Sequence, residues 1–203
     1  RAAQPKRVAR RRPGYVPPAL KSPPESAVTL ALDAMMDFDL TPEQRLVRRA
    51  VRDFAEKEIL PHVEAHEREG RYPTELIRKL VPLGYFAPMV PEEYGGSFVD
   101  VMTYGLICEE IARVDWVVAS VISVTNSLVV GSILKYGTPA QKQRWLTAIA
   151  RGDLLTSACL TEPGGGTDLG NMATTAKRVE GGWRLTGSKA FMSHAAHARR
   201  PFV

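Results

Sequence analysis

The sequence predicts an α+β chain, an all-helical N-terminal domain followed by the first strands of a β domain. Three observations carry this. Apolar residues recur at helical spacing from about 41 to 151, between recognisable caps. That period stops at Gly152. After residue 154 the chain breaks into short runs separated by glycine, the signature of strands and turns.

The elements follow in order. Thr41-Pro42-Glu43-Gln44 places Thr at an N-cap, Pro at N1 and Gln at N3, a capping box. Leu46, Val47, Ala50, Val51, Phe54 and Ala55 then share a helix face, and Pro61 is expected to limit that helix. Pro73-Thr74-Glu75 opens a second helix with Leu76, Ile77 and Leu80 on its apolar side, ending near Gly84. Pro91 to Gly96 reads as a loop. Asp100 caps a third helix through Ile107, Cys108, Ile111 and Ala112. The apolar run from Trp116 resembles a membrane span, which needs roughly 20 predominantly apolar residues. Ser120, Ser123, Thr125, Asn126, Ser127, Gly131 and Ser132 interrupt it, so it reads as a buried central helix to about 135, with Gly137 at C′. Thr138-Pro139-Ala140-Gln141 repeats the capping signature and opens a fifth helix to about Arg151. Leu154–Leu160, Thr174–Val179, Trp183–Thr186 and Lys189–Ser193 then read as strands, with turns at Gly181-Gly182 and Gly187-Ser188.

Composition bounds the class. Of 203 residues, 44% are hydrophobic and 24% charged, which suits one or two globular domains. The net charge of +5 arises in residues 1–35, which hold seven Lys/Arg and two acids and leave a neutral body at 36–203. The body therefore gives no support to a nucleic-acid partner. Pro5, Pro13, Pro17, Pro18, Pro23 and Pro24 forbid a long helix, and 1–35 reads as a disordered, basic, Pro-rich tail, with Arg10-Arg11-Arg12 as a solvated patch. The natural start is expected at Met35 or Met36. The organisation read is a tail (1–35), a helical domain (36–153) and part of a β domain (154–203). No Met opens the chain and it stops mid-pattern at Val203, so a fragment is expected; no apolar signal core stands near the start. Cys108 and Cys159 lack zinc or redox spacing and read as buried thiols of a reducing compartment.

For chemistry, the stretch Cys159-Leu160-Thr161-Glu162-Pro163-Gly164-Gly165-Gly166-Thr167-Asp168 stands out. Consecutive glycines bring the backbone close to another group, and their N–H groups can converge on an anion. No Gly-Lys-Ser/Thr follows, and Gly164-x-Gly166-x-x-x-Gly170 has one residue too many for a dinucleotide turn. A plain glycine turn between strands remains the alternative. Phe191 and Ser193 alternate along an expected strand and so share a face, where an aromatic and a hydroxyl suit a flat heterocycle. His62 and His66 share a helix face but lack a third ligand, and read with Glu64 and Glu67 as a solvated charged face. His194 and His197 read as loop residues; Glu92-Glu93 and Glu109-Glu110 read as solvated or capping.

The order of these signatures resembles the acyl-CoA dehydrogenases. Phe54-Ala55-Glu56, Pro91 to Gly96, Glu109-Glu110-Ile111-Ala112-Arg113, Tyr136 to Leu146, Leu160 to Asp168 and Gly187 to Ser193 each match a family motif, covering about residues 37 to 200. The resemblance implies an all-helical N-terminal domain, a β-barrel-like middle domain and a C-terminal helical bundle, the last expected to be absent from this chain. It implies FAD as cofactor. By position, Ala158, Cys159, Leu160 and Thr161 would edge the isoalloxazine, with backbone groups of Leu160 and Thr161 at its pyrimidine side. Gly166 and Thr167 would approach the pyrophosphate, Thr167 would also contact acyl-CoA, and Phe191, Met192 and Ser193 would form the second wall, Ser193 donating toward N5. Ala158 stands where many members carry an aromatic, and Phe191 where Trp is common, which loses an indole N–H.

The implied reaction is α,β-dehydrogenation of an acyl-CoA in fatty acid metabolism, by a flavoprotein oxidoreductase that passes electrons to an electron-transfer flavoprotein. The family's base is a Glu of the C-terminal bundle, so no catalytic residue is assigned here, and the 203-residue chain is expected to be inactive and to hold FAD poorly. A homotetramer or homodimer is implied when full length, in the cytoplasm or the mitochondrial matrix, with no metal, nucleic acid or membrane. A flavin monooxygenase or nitroalkane-oxidase-like relative on the same fold remains an alternative, as does a non-catalytic helical interaction protein.

Overall fold

Capping boxes set the helix starts. In a computed structural model that describes residues 39–198 and 200–202, Thr41 Oγ1 accepts from the Gln44 N–H at 3.1 Å while Gln44 Oε1 accepts from the Thr41 N–H at 3.1 Å. Helix α1 (Pro42–Phe54) follows, then a π-helical turn (Ala55–Ile59) and α2 (Leu60–Glu69), closed by Gly70 in the left-handed conformation. Pro61 therefore does not end the first helix. Proline lacks an N–H and its ring clashes with the carbonyl four residues back. The π turn, closed by the Leu60 N–H on the Ala55 carbonyl, widens the helix where that clash would fall, so the chain runs on.

Helix α3 (Thr74–Leu80) buries Leu76, Ile77 and Leu80 as expected, and Asp100 caps α4 (Val101–Ala112) by accepting from the Thr103 N–H at 2.9 Å. The central helix comprises α5 (Trp116–Ser123), a π turn (Val124–Val130) and α6 (Gly131–Tyr136). Its 21 residues are apolar enough to cross a membrane by length and composition, yet half of the most apolar window is buried inside the protein. Val118, Val121, Ile122, Val130 and Ile133 pack there with Val51, Ile59, Leu80, Phe86, Ile111, Leu146 and Ile149 in one core. Gly137 ends α6 with an extended backbone (φ −69°) rather than a left-handed one; a Cβ there would lie 2.5 Å from the Ile133 carbonyl oxygen. Helix α7 (Pro139–Ala150) carries the second capping box.

Three polar residues of the helices, Asn126, Glu110 and His66, have partners the sequence reading did not assign. Asn126 Oδ1 accepts from the Met89 N–H at 3.1 Å, and its Nδ2 donates to the carbonyls of Phe86 (3.0 Å) and Ile122 (2.8 Å). Glu110 is not solvated. It is fully buried between α1 and α4, where Arg48 Nε reaches Oε1 at 2.7 Å and Arg52 grips both oxygens at 2.7 and 2.8 Å. Those guanidiniums, Arg52 foremost, hold its pKa down to about 2 against the opposing effect of burial. His66 is likewise buried rather than on a solvated face, its Nε2 2.9 Å from Glu75 Oε1 on α3. Both corrections share a cause: adjacent helices turn toward these residues, which one helix's own pattern cannot reveal.

Strand β1 (Thr156–Ala158) packs on the Val124–Val130 π turn and pairs in parallel with β4 (Arg200–Phe202). The antiparallel hairpin β2 (Thr175–Val179) and β3 (Gly182–Thr186) turns through Glu180-Gly181, with Gly181 at φ 78°. Every residue of this hairpin is exposed, Trp183 at 66%. The expected tail (1–35), its Arg10-Arg11-Arg12 patch and the expected start at Met35 or Met36 lie outside the described residues.

Candidate functional site

The chain leaves β1 and folds into a tight turn, in which Glu162 and Gly165 exchange both backbone hydrogen bonds at 3.0 Å. Gly164 and Gly165 face open space, whereas a Cβ on Gly166 would come within 3.0 Å of the Thr161 side chain. The triplet thus lets the backbone pass close over Thr161 before Thr167 and Asp168 reach solvent. A cleft of about 350 Å³ lies between this turn, Asp168, residues 171–173 and Ser188.

Glu162 is the hub. Its carboxylate is buried and accepts from the N–H groups of Ala173 (2.6 Å) and Thr174 (2.9 Å) and from Lys189 Nζ (2.9 Å). Hydrogen bonding from Thr174, then from Lys189 and from the Ala173 backbone, lowers its pKa to about 2. Lys189 Nζ also donates to the Leu160 carbonyl at 3.2 Å and lies 3.5 Å from Met172 Sδ. Close backbone approach joins the same segments: a Cβ on Gly187 would sit 2.7 Å from Thr174 Cα.

The run from Lys189 to Ser193 is not a strand. A strand needs a ladder partner. Here the Ala190 N–H donates to the Thr161 carbonyl (2.9 Å) and the Ser193 carbonyl accepts from Ser157 Oγ (2.6 Å). Phe191 at φ 54° and His194 at φ 66° break the alternation, so Phe191 and Ser193 do not share a strand face. The segment arches instead, with Phe191 92% exposed at its apex. Beyond the arch His194 Nδ1 lies 3.1 Å from Tyr72 Oη and its Nε2 3.3 Å from Ser120 Oγ, while His197 stacks on Tyr72 at 3.9 Å. Burial holds the His194 pKa down. The two histidines are turn residues, as read, but they tie the arch to α5 and to the loop before α3.

Each sequence-predicted residue falls on this surface or just beneath it. Ala158 is half-buried against the core, and Cys159 is 2% exposed, its thiol pKa raised by that burial. Leu160, Thr167, Phe191 and Ser193 are exposed; Thr161, Gly166 and Met192 are half-buried. The Ala190–Thr161 bond brings the two groups of residues together. Cys159 can face a ligand only through its backbone. The sequence reading missed Glu162, Lys189, Ser157 and Ser120 as partners; the Glu-Pro turn and the Gly-Ser-Lys run carry these residues but nothing in them announces the pairing.

Comparison with known proteins identifies the family. The profile of the acyl-CoA dehydrogenase N-terminal domain matches residues 41–153, and that of the middle domain matches 157–203. The chain is 39% identical over 165 residues to a mitochondrial short-chain specific acyl-CoA dehydrogenase of Mus musculus, covering 81% of this chain and 40% of that one. It superposes on butyryl-CoA dehydrogenase of Megasphaera elsdenii with a TM-score of 0.74 at 38% identity, covering 80% of this chain and 44% of that one. A glutaryl-CoA dehydrogenase of Mycobacterium smegmatis in complex with FADH2 gives 0.75 at 31% identity, over 86% and 44%. The chain thus spans less than half the length of these relatives. With helices at 42–150, strands from 156 and both domain profiles matched in that order, the chain belongs to the acyl-CoA dehydrogenase family.

Proposed function

We propose that residues 36–153 and 154–203 are the helical domain and part of the β domain of an FAD-dependent acyl-CoA dehydrogenase, and that the arch and the Glu162 turn form one wall of the flavin site. The observation that carries this is the 2.9 Å bond from the Ala190 N–H to the Thr161 carbonyl, which sets an exposed aromatic beside a glycine turn. The residues present fit a flavin. Phe191 and Leu160 offer apolar surface to a ring, and the Thr167 and Ser193 hydroxyls are exposed next to it. The Leu160 and Thr161 carbonyls already accept from Lys189 and Ala190, and we assign the N–H groups of these residues to the pyrimidine edge. Gly166 and Thr167 suit a pyrophosphate, and Thr167 also an acyl-CoA.

The flavin, when bound, supplies the hydride acceptance that α,β-dehydrogenation of an acyl thioester requires. The chain's own residues orient and shield. Glu162 is ionised far below neutrality and gripped by three donors, which makes it a holder of structure and a poor proton acceptor. Glu162 is therefore not the α-proton base, no residue of this site is assigned that role, and the 203-residue chain alone is expected not to turn over. In the whole enzyme, electrons leave to an electron-transfer flavoprotein, from a homodimer or homotetramer in the cytoplasm or the mitochondrial matrix.

Titrating the chain with FAD tests the reading. Weak but saturable quenching of flavin fluorescence is expected, weakened about tenfold further by Phe191→Ala because that aromatic face is lost. Equal quenching by the variant, or turnover of butyryl-CoA by the chain alone, would overturn it.

A further inference from the structure

We propose that Glu162 and Lys189 are positioning residues: a sheltered ion pair that fixes the backbone from which Phe191 projects, so that flavin affinity depends on a pair that itself touches no flavin. The proposal rests on the flavin reading above. Three chain segments meet at this pair: the turn at 160–162, the entry to β2 at 172–174 and the start of the arch at 189–190. Among the described residues, β2 and β3 supply no buried apolar side chain to do this work. The pair is sheltered, with side-chain exposures of 7% for Glu162 and 11% for Lys189.

The arch needs such support. Left-handed backbone at a non-glycine residue is costly and persists only where the surroundings over-determine it, and Phe191 and His194 both adopt it. On the upstream side Lys189 and the Ala190 N–H tie the arch to the turn. Downstream, Ser157 holds the Ser193 carbonyl, and His194 spans Ser120 and Tyr72. Between these anchors only Phe191 and Met192 are unanchored by these contacts, and Phe191 stands in solvent. A second reading of Lys189, as a cation for the flavin phosphates, fails on donor count. An ammonium has three N–H donors, and the Glu162 carboxylate, the Leu160 carbonyl and the Met172 sulfur take all three.

The test compares the unsubstituted 203-residue chain with Lys189→Met, Lys189→Arg and Glu162→Gln. Amide hydrogen exchange is followed at Ala173, Thr174 and Ala190, circular dichroism monitors the helices, and FAD is titrated by fluorescence. Lys189→Met is expected to speed exchange at Ala190 and to weaken FAD binding, each about tenfold. Glu162→Gln speeds exchange at Ala173 and Thr174. Helix content and melting stay as in the unsubstituted chain, and Lys189→Arg, which keeps the charge, restores most of both effects. Unchanged exchange and FAD affinity in Lys189→Met overturn the clamp, as does FAD loss that Lys189→Arg fails to rescue. Absence of FAD binding by the unsubstituted chain, with the exchange pattern as expected, counts against the flavin reading and supports the clamp.

Discussion

Substituting Glu110 by Gln tests the helical scaffold at its most charged buried point. The carboxylate is fully buried and holds Arg48 and Arg52 at 2.7–2.8 Å, with Arg113 Nε at 3.4 Å. A glutamine keeps the shape but leaves three guanidiniums facing one another across a neutral amide. Removing one partner of a buried pair costs about 3–5 kcal/mol. The arginines retain side-chain exposures of 39–44% and can rehydrate, which favours the lower end. A loss of about 3 kcal/mol, at roughly 2–4 °C per kcal/mol for a chain of this size, lowers Tm by about 6–12 °C. The sign with pH follows from the depressed pKa. Ionised Glu110 stabilises the fold fully above the ordinary value of 4.5, and that contribution is lost as pH falls through about 2. Urea unfolding of both proteins should therefore show the full gap at neutral pH and a shrinking gap below pH 4.5. A gap below about 1 kcal/mol at neutral pH, within reach of an exposed pair, or a gap independent of pH, would refute the argument.

Two further predictions concern the helices. Thr138→Ala removes the acceptor of the Gln141 N–H and should cost about 1 kcal/mol in urea unfolding, with Thr138→Ser retaining most of it. Asn126→Leu fills the same space but strips the Met89 N–H and the Phe86 carbonyl of their partner, at about 2 kcal/mol, and amide exchange at Met89 should quicken more than at core residues such as Ile122.

The helices were legible because their signals are local. Thr41-Pro42-Glu43-Gln44 and Thr138-Pro139-Ala140-Gln141 state their own capping geometry, and the structure forms both boxes. Pro61 misled because a π turn is a compromise between the helix and its packing, invisible to a 3.6-residue period. Lys189–Ser193 misled for a related reason: alternation of side chains is necessary for a strand, but a ladder partner decides it, and here Thr161 and Ser157 take the backbone groups instead. Residues of the candidate site were nameable from family motifs, whereas their geometry depends on pairings over distances of 11 to 122 residues, such as Glu162 with Ala173 and His194 with Tyr72.

Glu110 and Glu162 make the same interaction for different ends. Around Glu110 an apolar core already holds α1 against α4, with Val51 and Ile111 fully buried nearby in sequence, so the ion cluster adds to packing that exists without it. Around Glu162 the described hairpin residues bury no such core, and the turn, the hairpin entry and the arch are joined through donors to one carboxylate. Apolar burial is broad and tolerant of small shifts, while a set of hydrogen bonds to one carboxylate fixes position sharply and fails together when one member goes. An arch that projects an aromatic ring into solvent has more use for the second kind of bond. Its opening should accordingly require less free energy than unfolding the helices, so that exchange at Ala190 precedes exchange at Ile111 in every condition where the chain remains folded.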